Sequence, residues 1–158
     1  FKNQKKQSFW GFKTTRSKMI FKFLNKGKEK SEANTESINI ACLLIHAAKI
    51  DENYTSEERE IIKKTVKKFY PDLDNLDNVV TRAEKKENDS NHIQEFTRDV
   101  KSLSMENKII IIETLWKIIL SDGKSDVYEN NLMRRLAGLL YLDDKIMGEI
   151  KIKVLNNK

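Results

Sequence analysis

Residues 109–142 read IIIIETLWKIILSDGKSDVYENNLMRRLAGLLYL. Two apolar runs, 109–120 and 131–142, flank a polar segment that contains one glycine and several carboxylates, Ser121 to Glu129. Within both runs the apolar residues recur every three to four positions, as they do on one face of an α-helix. These positions are Ile112, Leu115, Trp116, Ile119 and Leu120 in the first run, and Leu132, Met133, Leu136, Leu139 and Leu140 in the second. The stretch therefore predicts a helical hairpin with an acidic turn.

A second hairpin of the same design is predicted in the first half of the chain. Its helical positions are Ile38, Ala41, Ile45 and Ala48, followed by Ile61, Ile62, Thr65, Val66 and Phe69. The segment DENYTS, residues 51–56, separates the two helices. When Asp51 is placed on Asp122, the same shift aligns a second acidic pair, and that pair is Glu58 and Glu129. The chain is therefore predicted to contain a duplicated hairpin.

The composition favours long helices in one domain. The chain has 158 residues, five glycines and a single proline, which is too few turn-forming residues for a sandwich or barrel. Segments between and after the hairpins add patterns for two connecting helices and a closing one. We therefore predict an all-α fold with one core. The core is expected to contain Ile45, Ile62, Phe96, Leu115, Trp116, Ile119, Leu136 and Leu140.

The charge divides the chain into an arm and a domain. Residues 1–30 hold ten Lys or Arg and one Glu, a net charge of +9, so the remainder carries −3 of the total of +6. We predict a basic, aromatic arm with a linker over residues 1–36 and a helical domain over 37–158. Lysines interleaved with apolar residues suit an anionic membrane surface. The predicted contacts are Lys18, Phe21, Lys22, Phe23 and Lys26.

Other functions for the arm stay open. It could fold back on the domain as a solvated tail, or it could enter a groove on a protein partner. Nucleic-acid binding is the weaker alternative, because no recognised binding motif accompanies the charge. Salt-sensitive binding that requires residues 1–30 would favour it.

The apolar runs and the single cysteine indicate the compartment. The longest run, Ile109 to Leu120, has about half of the ~20 residues that a bilayer span needs. Cys42 is the only cysteine and excludes an intramolecular disulfide, which favours a reducing compartment. We therefore expect a cytoplasmic protein, with the arm placing it at the periphery of the inner membrane. Cys42 and His46 share a helix face, but their apolar surroundings favour a buried, structural role for both.

Two segments resemble a known family. AAKIDENYTSEEREII (47–62) and ILSDGKSDVYENNLM (119–133) are similar to the two acidic hairpin signatures of TerB-like domains. This helical module is named from tellurite-resistance proteins and also precedes the J-domain of DjlA-type co-chaperones. The resemblance covers roughly Ser37 to Leu155. It implies a single bundle of about seven helices built on the two acidic hairpins.

The resemblance also implies a metal site and shows two departures. It implies that clustered carboxylates bind a divalent cation, and these correspond to Asp51, Glu58, Asp122 and Glu129. Because all are oxygen ligands, the expected ion is calcium or magnesium. The first hairpin has Glu52 where the family pattern has glycine, and the chain lacks the His-Pro-Asp motif of a J-domain. We therefore do not expect a complete co-chaperone.

Helix capping is the competing explanation for the acidic residues. Thr55-x-x-Glu58 and Asp126-x-x-Glu129 both fit a capping box, and Gly123 suits a left-handed turn. Capping accounts for these residues without a metal.

Capping explains less well why an aspartate follows the first helix of each hairpin. Asp51 and Asp122 lie near helix C-termini, where the helix dipole disfavours negative charge. The start of the next helix or a bound cation could compensate them, and both interpretations stay open.

No catalytic motif is present in the sequence: it has no phosphate loop, nucleophile elbow or zincin helix. We expect a non-catalytic adaptor or sensor in a stress response, with a protein partner. A small metal-dependent hydrolase that uses the paired carboxylates is the alternative.

Overall fold

The computed structural model describes residues 35–157, and this part of the chain forms seven α-helices without a strand. Helix α1 covers residues 35–48. The others are α2 (Ser56–Phe69), α3 (Leu76–Asp89), α4 (Ile93–Ser102), α5 (Met105–Ile119), α6 (Val127–Leu140) and α7 (Asp144–Asn156). The predicted all-α bundle is confirmed. None of the helices in residues 35–157 has the length and apolar character needed to cross a membrane.

The core is built around helix α1. Residues 40–45 are completely buried, so this part of α1 is covered on all sides rather than on one face. Its polar residues also point inward: Asn39 Nδ2 donates to Asp99 Oδ2 on α4 (2.6 Å), and Asn39 Oδ1 accepts from Lys86 Nζ on α3 (2.7 Å). Periodicity predicts one buried face, and only the packing of neighbouring helices shows that the other faces are buried too.

All eight predicted core residues are buried, which confirms that prediction. The list is Ile45, Ile62, Phe96, Leu115, Trp116, Ile119, Leu136 and Leu140. Helix α5 resembles α1 in being buried on most of its surface, since it packs against α2 and against α7.

Cys42 is buried as predicted, whereas the prediction for His46 is wrong. Burial raises the pKa of the Cys42 thiol to about 12, so it stays protonated and unreactive. Its Sγ lies 3.4 Å from Ala83 O. The His46 side chain is 37% exposed, and its Nδ1 lies 3.1 Å from Glu87 Oε1. The imidazole is at the edge of α1, where it reaches a polar partner on α3.

The two hairpins are equivalent in detail. Helices α2 and α6 both have 14 residues, and α6 begins and ends 71 positions after α2, from Ser56 to Val127 and from Phe69 to Leu140. The shift is the one that aligns the acidic residues of the two turns. The duplicated sequence pattern therefore corresponds to two hairpins with matching helices and turns.

Glu52 and Gly123 occupy equivalent turn positions, and both adopt a positive φ, 62° and 93°. A left-handed conformation costs a residue with a Cβ about 1–2 kcal/mol, whereas glycine adopts it freely. A Cβ added at Gly123 would meet no atom within 4 Å, so conformation alone decides the effect there.

We expect Glu52→Gly to raise the free energy of unfolding by about 0.5–1 kcal/mol, because the relief of strain exceeds the entropy that glycine adds to the unfolded chain. The reverse change, Gly123→Glu, should lower it by about 1 kcal/mol. Thermal melts followed by circular dichroism measure both. A lower melting temperature for Glu52→Gly would contradict the argument.

Candidate functional site

The two acidic turns meet at one end of the bundle. Ser121 Oγ, in the turn after α5, donates to Glu58 Oε1, at the start of α2, over 3.4 Å. These residues are 63 positions apart, so the contact joins the two hairpins. Sequence analysis did not single out Ser121, because nothing local distinguishes it from other turn serines.

The charges that act on Glu129 also indicate that the two acidic turns lie close together. Burial raises the pKa of Glu129 above its ordinary value, and the negative charges of Asp126, Asp122 and Asp51 raise it further, against the lowering effect of the hydrogen bond from Asp126 N–H. Asp51 belongs to the first hairpin and Glu129 to the second. The structure thus brings carboxylates of both hairpins within electrostatic range.

Both glutamates of the predicted site are capping residues. Glu58 N–H donates to Thr55 Oγ1 (3.1 Å), and Thr55 N–H donates to Glu58 Oε2 (2.8 Å). The second hairpin repeats this pattern: Glu129 N–H donates to Asp126 Oδ1 (2.8 Å), and Asp126 N–H donates to Glu129 Oε2 (2.7 Å). Glu58 and Glu129 are only 4% and 6% exposed. Capping therefore holds one oxygen of each buried carboxylate in place.

The aspartates are held by their own turns. Asn53 N–H donates to Asp51 Oδ1 (2.9 Å), and Lys124 N–H donates to Asp122 Oδ1 (3.0 Å). A side chain that accepts from the backbone two residues later forms an Asx turn, which is common for Asp before a reversal of the chain. This bond offsets part of the unfavourable position near a helix C-terminus. The position of each aspartate at the start of its turn is the sequence signal that could have predicted these Asx turns.

Carboxylates of the described residues fall into those that form ion pairs and those that do not, and the two acidic turns belong to the second group. Among the paired carboxylates, Glu84 is paired with Arg59, Glu87 with Lys49, and Glu113 with Lys117 and Lys153. Across residues 35–157, by contrast, none of the carboxylates in the two acidic turns forms an ion pair. These are Asp51, Glu52, Glu57, Glu58, Asp122, Asp126 and Glu129.

The open oxygens define what the end can bind. In the described part of the chain, Asp51 Oδ2, Asp122 Oδ2 and Glu129 Oε1 accept no hydrogen bond. As the side chains stand in residues 35–157, no three of His, Cys, Asp or Glu converge closely enough to hold a metal ion. The end is therefore a group of carboxylates without ion pairs among residues 35–157 rather than a formed coordination shell.

The predicted membrane contacts lie outside the described residues. They are Lys18, Phe21, Lys22, Phe23 and Lys26.

Comparison with known proteins yields a family but no individual relative. No curated protein and no solved structure matches the chain. The family model described as tellurite resistance protein TerB matches residues 37–152, which include both acidic hairpins and all of helices α2 to α6. Since this match covers most of the chain, the protein belongs to the TerB family, as its two hairpin signatures predict.

Proposed function

We propose that this TerB-family chain is a non-catalytic helical binding module, an adaptor or sensor in a stress response, whose two acidic turns together bind a divalent cation. One observation carries the cation part of the proposal. The turns of both hairpins meet at one end, joined by the hydrogen bond between Ser121 and Glu58, and within residues 35–157 their carboxylates have no cationic partner. The adaptor or sensor part rests on family membership.

The chemistry of the donors fits an ion that prefers oxygen. Calcium and magnesium bind carboxylates, backbone carbonyls and water, and this end supplies carboxylates. Glu58 and Glu129 are fixed by their capping bonds, whereas Asp51 and Asp122 are exposed. Exposed side chains change rotamer in picoseconds to nanoseconds, so the aspartates can turn toward an ion at little cost. Burial is the main cause of the raised pKa of Glu129, and the ion would offset the negative charges of Asp126, Asp122 and Asp51 that raise this pKa further.

A thermal melt with and without millimolar calcium or magnesium chloride tests the site. A ligand at 100 times its Kd stabilises the folded state by about 2.7 kcal/mol, which corresponds to a rise of about 5–10 °C for a domain of this size. We expect such a rise for the wild type and its loss in Asp122→Asn, which removes a charged ligand. Asp72→Asn is the matched control, since exposed Asp72 lies in the loop between α2 and α3.

Two outcomes would overturn the cation site. The absence of any shift in the wild type would reduce the two turns to well-capped helix joints. An equal shift in Asp122→Asn would place the bound ion elsewhere.

We also propose that the basic arm holds the protein at an anionic membrane surface, with each basic residue near the surface adding about 1 kcal/mol. Co-sedimentation with anionic vesicles should pellet the full chain but not a version that starts at Ser37. A full chain with Lys18, Lys22 and Lys26 changed to Gln is the control for charge. Equal pelleting of the full and shortened chains would exclude this role.

A further inference from the structure

The two hairpins differ at one pair of equivalent tyrosines. Tyr70 and Tyr141 directly follow α2 and α6 and lie 71 positions apart. Tyr70 has a φ of −129° and packs partly buried against the core. Tyr141 has a φ of 56° and is 70% exposed. The same residue type is therefore part of the packing in the first hairpin and lies on the surface in the second.

The backbone conformation of Tyr141 is unfavourable for a residue with a side chain. Leu142 N–H donates to Ala137 O (2.9 Å) and Tyr141 N–H donates to Gly138 O (3.3 Å). These are the two bonds of a Schellman motif, in which the left-handed position is usually glycine. Stability alone would favour glycine at position 141 as well. Backbone strain of this kind is concentrated at functional sites, so the exposed ring calls for an explanation outside the fold.

Cations lie beside the exposed ring on the side of α4. Lys101 Nζ is 4.3 Å from the centroid of the Tyr141 ring, a distance suited to a cation–π interaction. This contact places the C-terminal ends of the packed helices α4 and α6 next to each other. Arg98 is exposed three positions before Lys101 and therefore lies on the same face of α4.

Arg135 adds a third exposed cation, on α6. Lys151 Nζ on α7 donates to Asn130 Oδ1 (3.0 Å), and Arg135 lies roughly 140° further around α6, on the flank away from α7. Because α6 packs against α4 and α7, this flank is the one toward α4. Within residues 35–157, none of Arg98, Lys101 and Arg135 forms an ion pair. The seam between α4 and α6 thus carries positive charge that the described residues do not pair.

The neighbouring carboxylates are placed differently. Asp99 of α4 accepts from Asn39 on the buried helix α1 (2.6 Å). Asp143 and Asp144 begin α7, on the other flank of α6. The charge along the seam is therefore of one sign, and it complements an acidic partner.

We propose that Arg98, Lys101, Arg135 and Tyr141 form a docking surface for an acidic segment of a protein partner. The proposal rests on the adaptor part of the proposed function and does not depend on cation binding. Carboxylates of the partner would pair with the three cations, and an apolar side chain would pack on the Tyr141 ring. Tyrosine and arginine are enriched among the residues that dominate protein–protein binding.

Nucleic acid fits this surface less well than an acidic peptide. Residues 31–158 carry a net charge of −3, so a long polyanion would be repelled by the rest of the domain. A short acidic segment needs to contact only the seam between α4 and α6.

The test selects binders to the full chain from a phage library of random linear peptides. The library is first depleted on the Tyr141→Gly chain, which removes peptides that bind the basic arm or any other site. We expect the remaining peptides to combine acidic and apolar residues. A selected peptide is then labelled with fluorescein and titrated with each variant by fluorescence anisotropy.

Tyr141→Gly should bind this peptide about tenfold more weakly, although its melting temperature should equal or exceed that of the parent. Unimpaired folding would separate a binding role of the ring from a structural one. Tyr141→Phe should retain the affinity, because it keeps the ring. The double variant Arg98→Gln with Arg135→Gln should also bind about tenfold more weakly.

Two matched controls should bind like the parent. Tyr128→Ser removes a tyrosine that is 75% exposed at the other end of α6. Arg82→Gln removes an exposed arginine of α3 that forms no ion pair within residues 35–157.

Four outcomes would overturn the docking surface. They are the absence of acidic peptides after depletion, equal affinity in Tyr141→Gly, unchanged affinity in the double arginine variant, and displacement of the peptide by an equal concentration of a single-stranded oligonucleotide. A peptide that binds the full chain and ignores all these variants would leave the adaptor role standing and remove only this surface.

Discussion

Leu136→Ala is expected to lower the free energy of unfolding by about 2–5 kcal/mol. Leu136 is completely buried on α6, the helix that packs against α4 and α7. The substitution removes three carbon atoms from the core and leaves a cavity that neighbouring side chains fill only in part. Because a domain of this size is stabilised by about 5–15 kcal/mol in total, the variant should lose a large share of its stability.

Urea unfolding followed by circular dichroism measures this loss, with the midpoint expected to fall and the slope to stay unchanged. Leu155→Ala is the matched control, since Leu155 on α7 is 42% exposed and the same atoms are removed from a site that is partly open to solvent. It should change the free energy of unfolding by less than about 1 kcal/mol. Similar losses for the two variants would mean that α6 does not pack as described.

Asn39→Leu is expected to lower the free energy of unfolding by about 2–4 kcal/mol. The Asn39 amide lies on the buried helix α1 and joins the carboxylate of Asp99 to the ammonium group of Lys86. Hydrogen bonds to charged groups contribute about 1.5–3 kcal/mol each, and the two are not fully additive. Leucine has a similar size but neither donor nor acceptor, so both charged groups lose this partner.

The control for Asn39→Leu is Asn131→Leu, at an exposed position of α6. The same chemical change there should shift the free energy of unfolding by no more than about 0.5 kcal/mol. A loss below about 1 kcal/mol for Asn39→Leu would show that water replaces the amide, and that the contact between α1, α3 and α4 does not depend on it.

Local features of the fold could be predicted because short-range spacing determines them. A capping box needs only a cap residue and a glutamate three positions later, and both predicted boxes are present. Gly123 adopts the left-handed turn that its position indicates. The helical periods place Ile62, Phe96 and Leu136 in the core for the same reason, since a period of 3.6 residues puts them on an apolar face.

The all-round burial of α1 and the exposure of His46 could not be predicted in this way. Both depend on which helices surround α1, and periodicity within one helix carries no information about its neighbours. The apolar segment around His46 suggested burial, but the imidazole lies at the edge of the helix, where Glu87 of α3 is within reach.

At the candidate site, short-range interactions could be predicted from the sequence, whereas long-range contacts could not. The sequence alone gives the residue types and their duplicated spacing. It also predicts the capping roles of Glu58 and Glu129, because hydrogen bonds across three positions depend on local backbone geometry alone. The meeting of the two turns was decided by tertiary structure. The contacts of Ser121 with Glu58 and of Lys151 with Ser125 span 63 and 26 positions, and the packing of whole helices sets such distances.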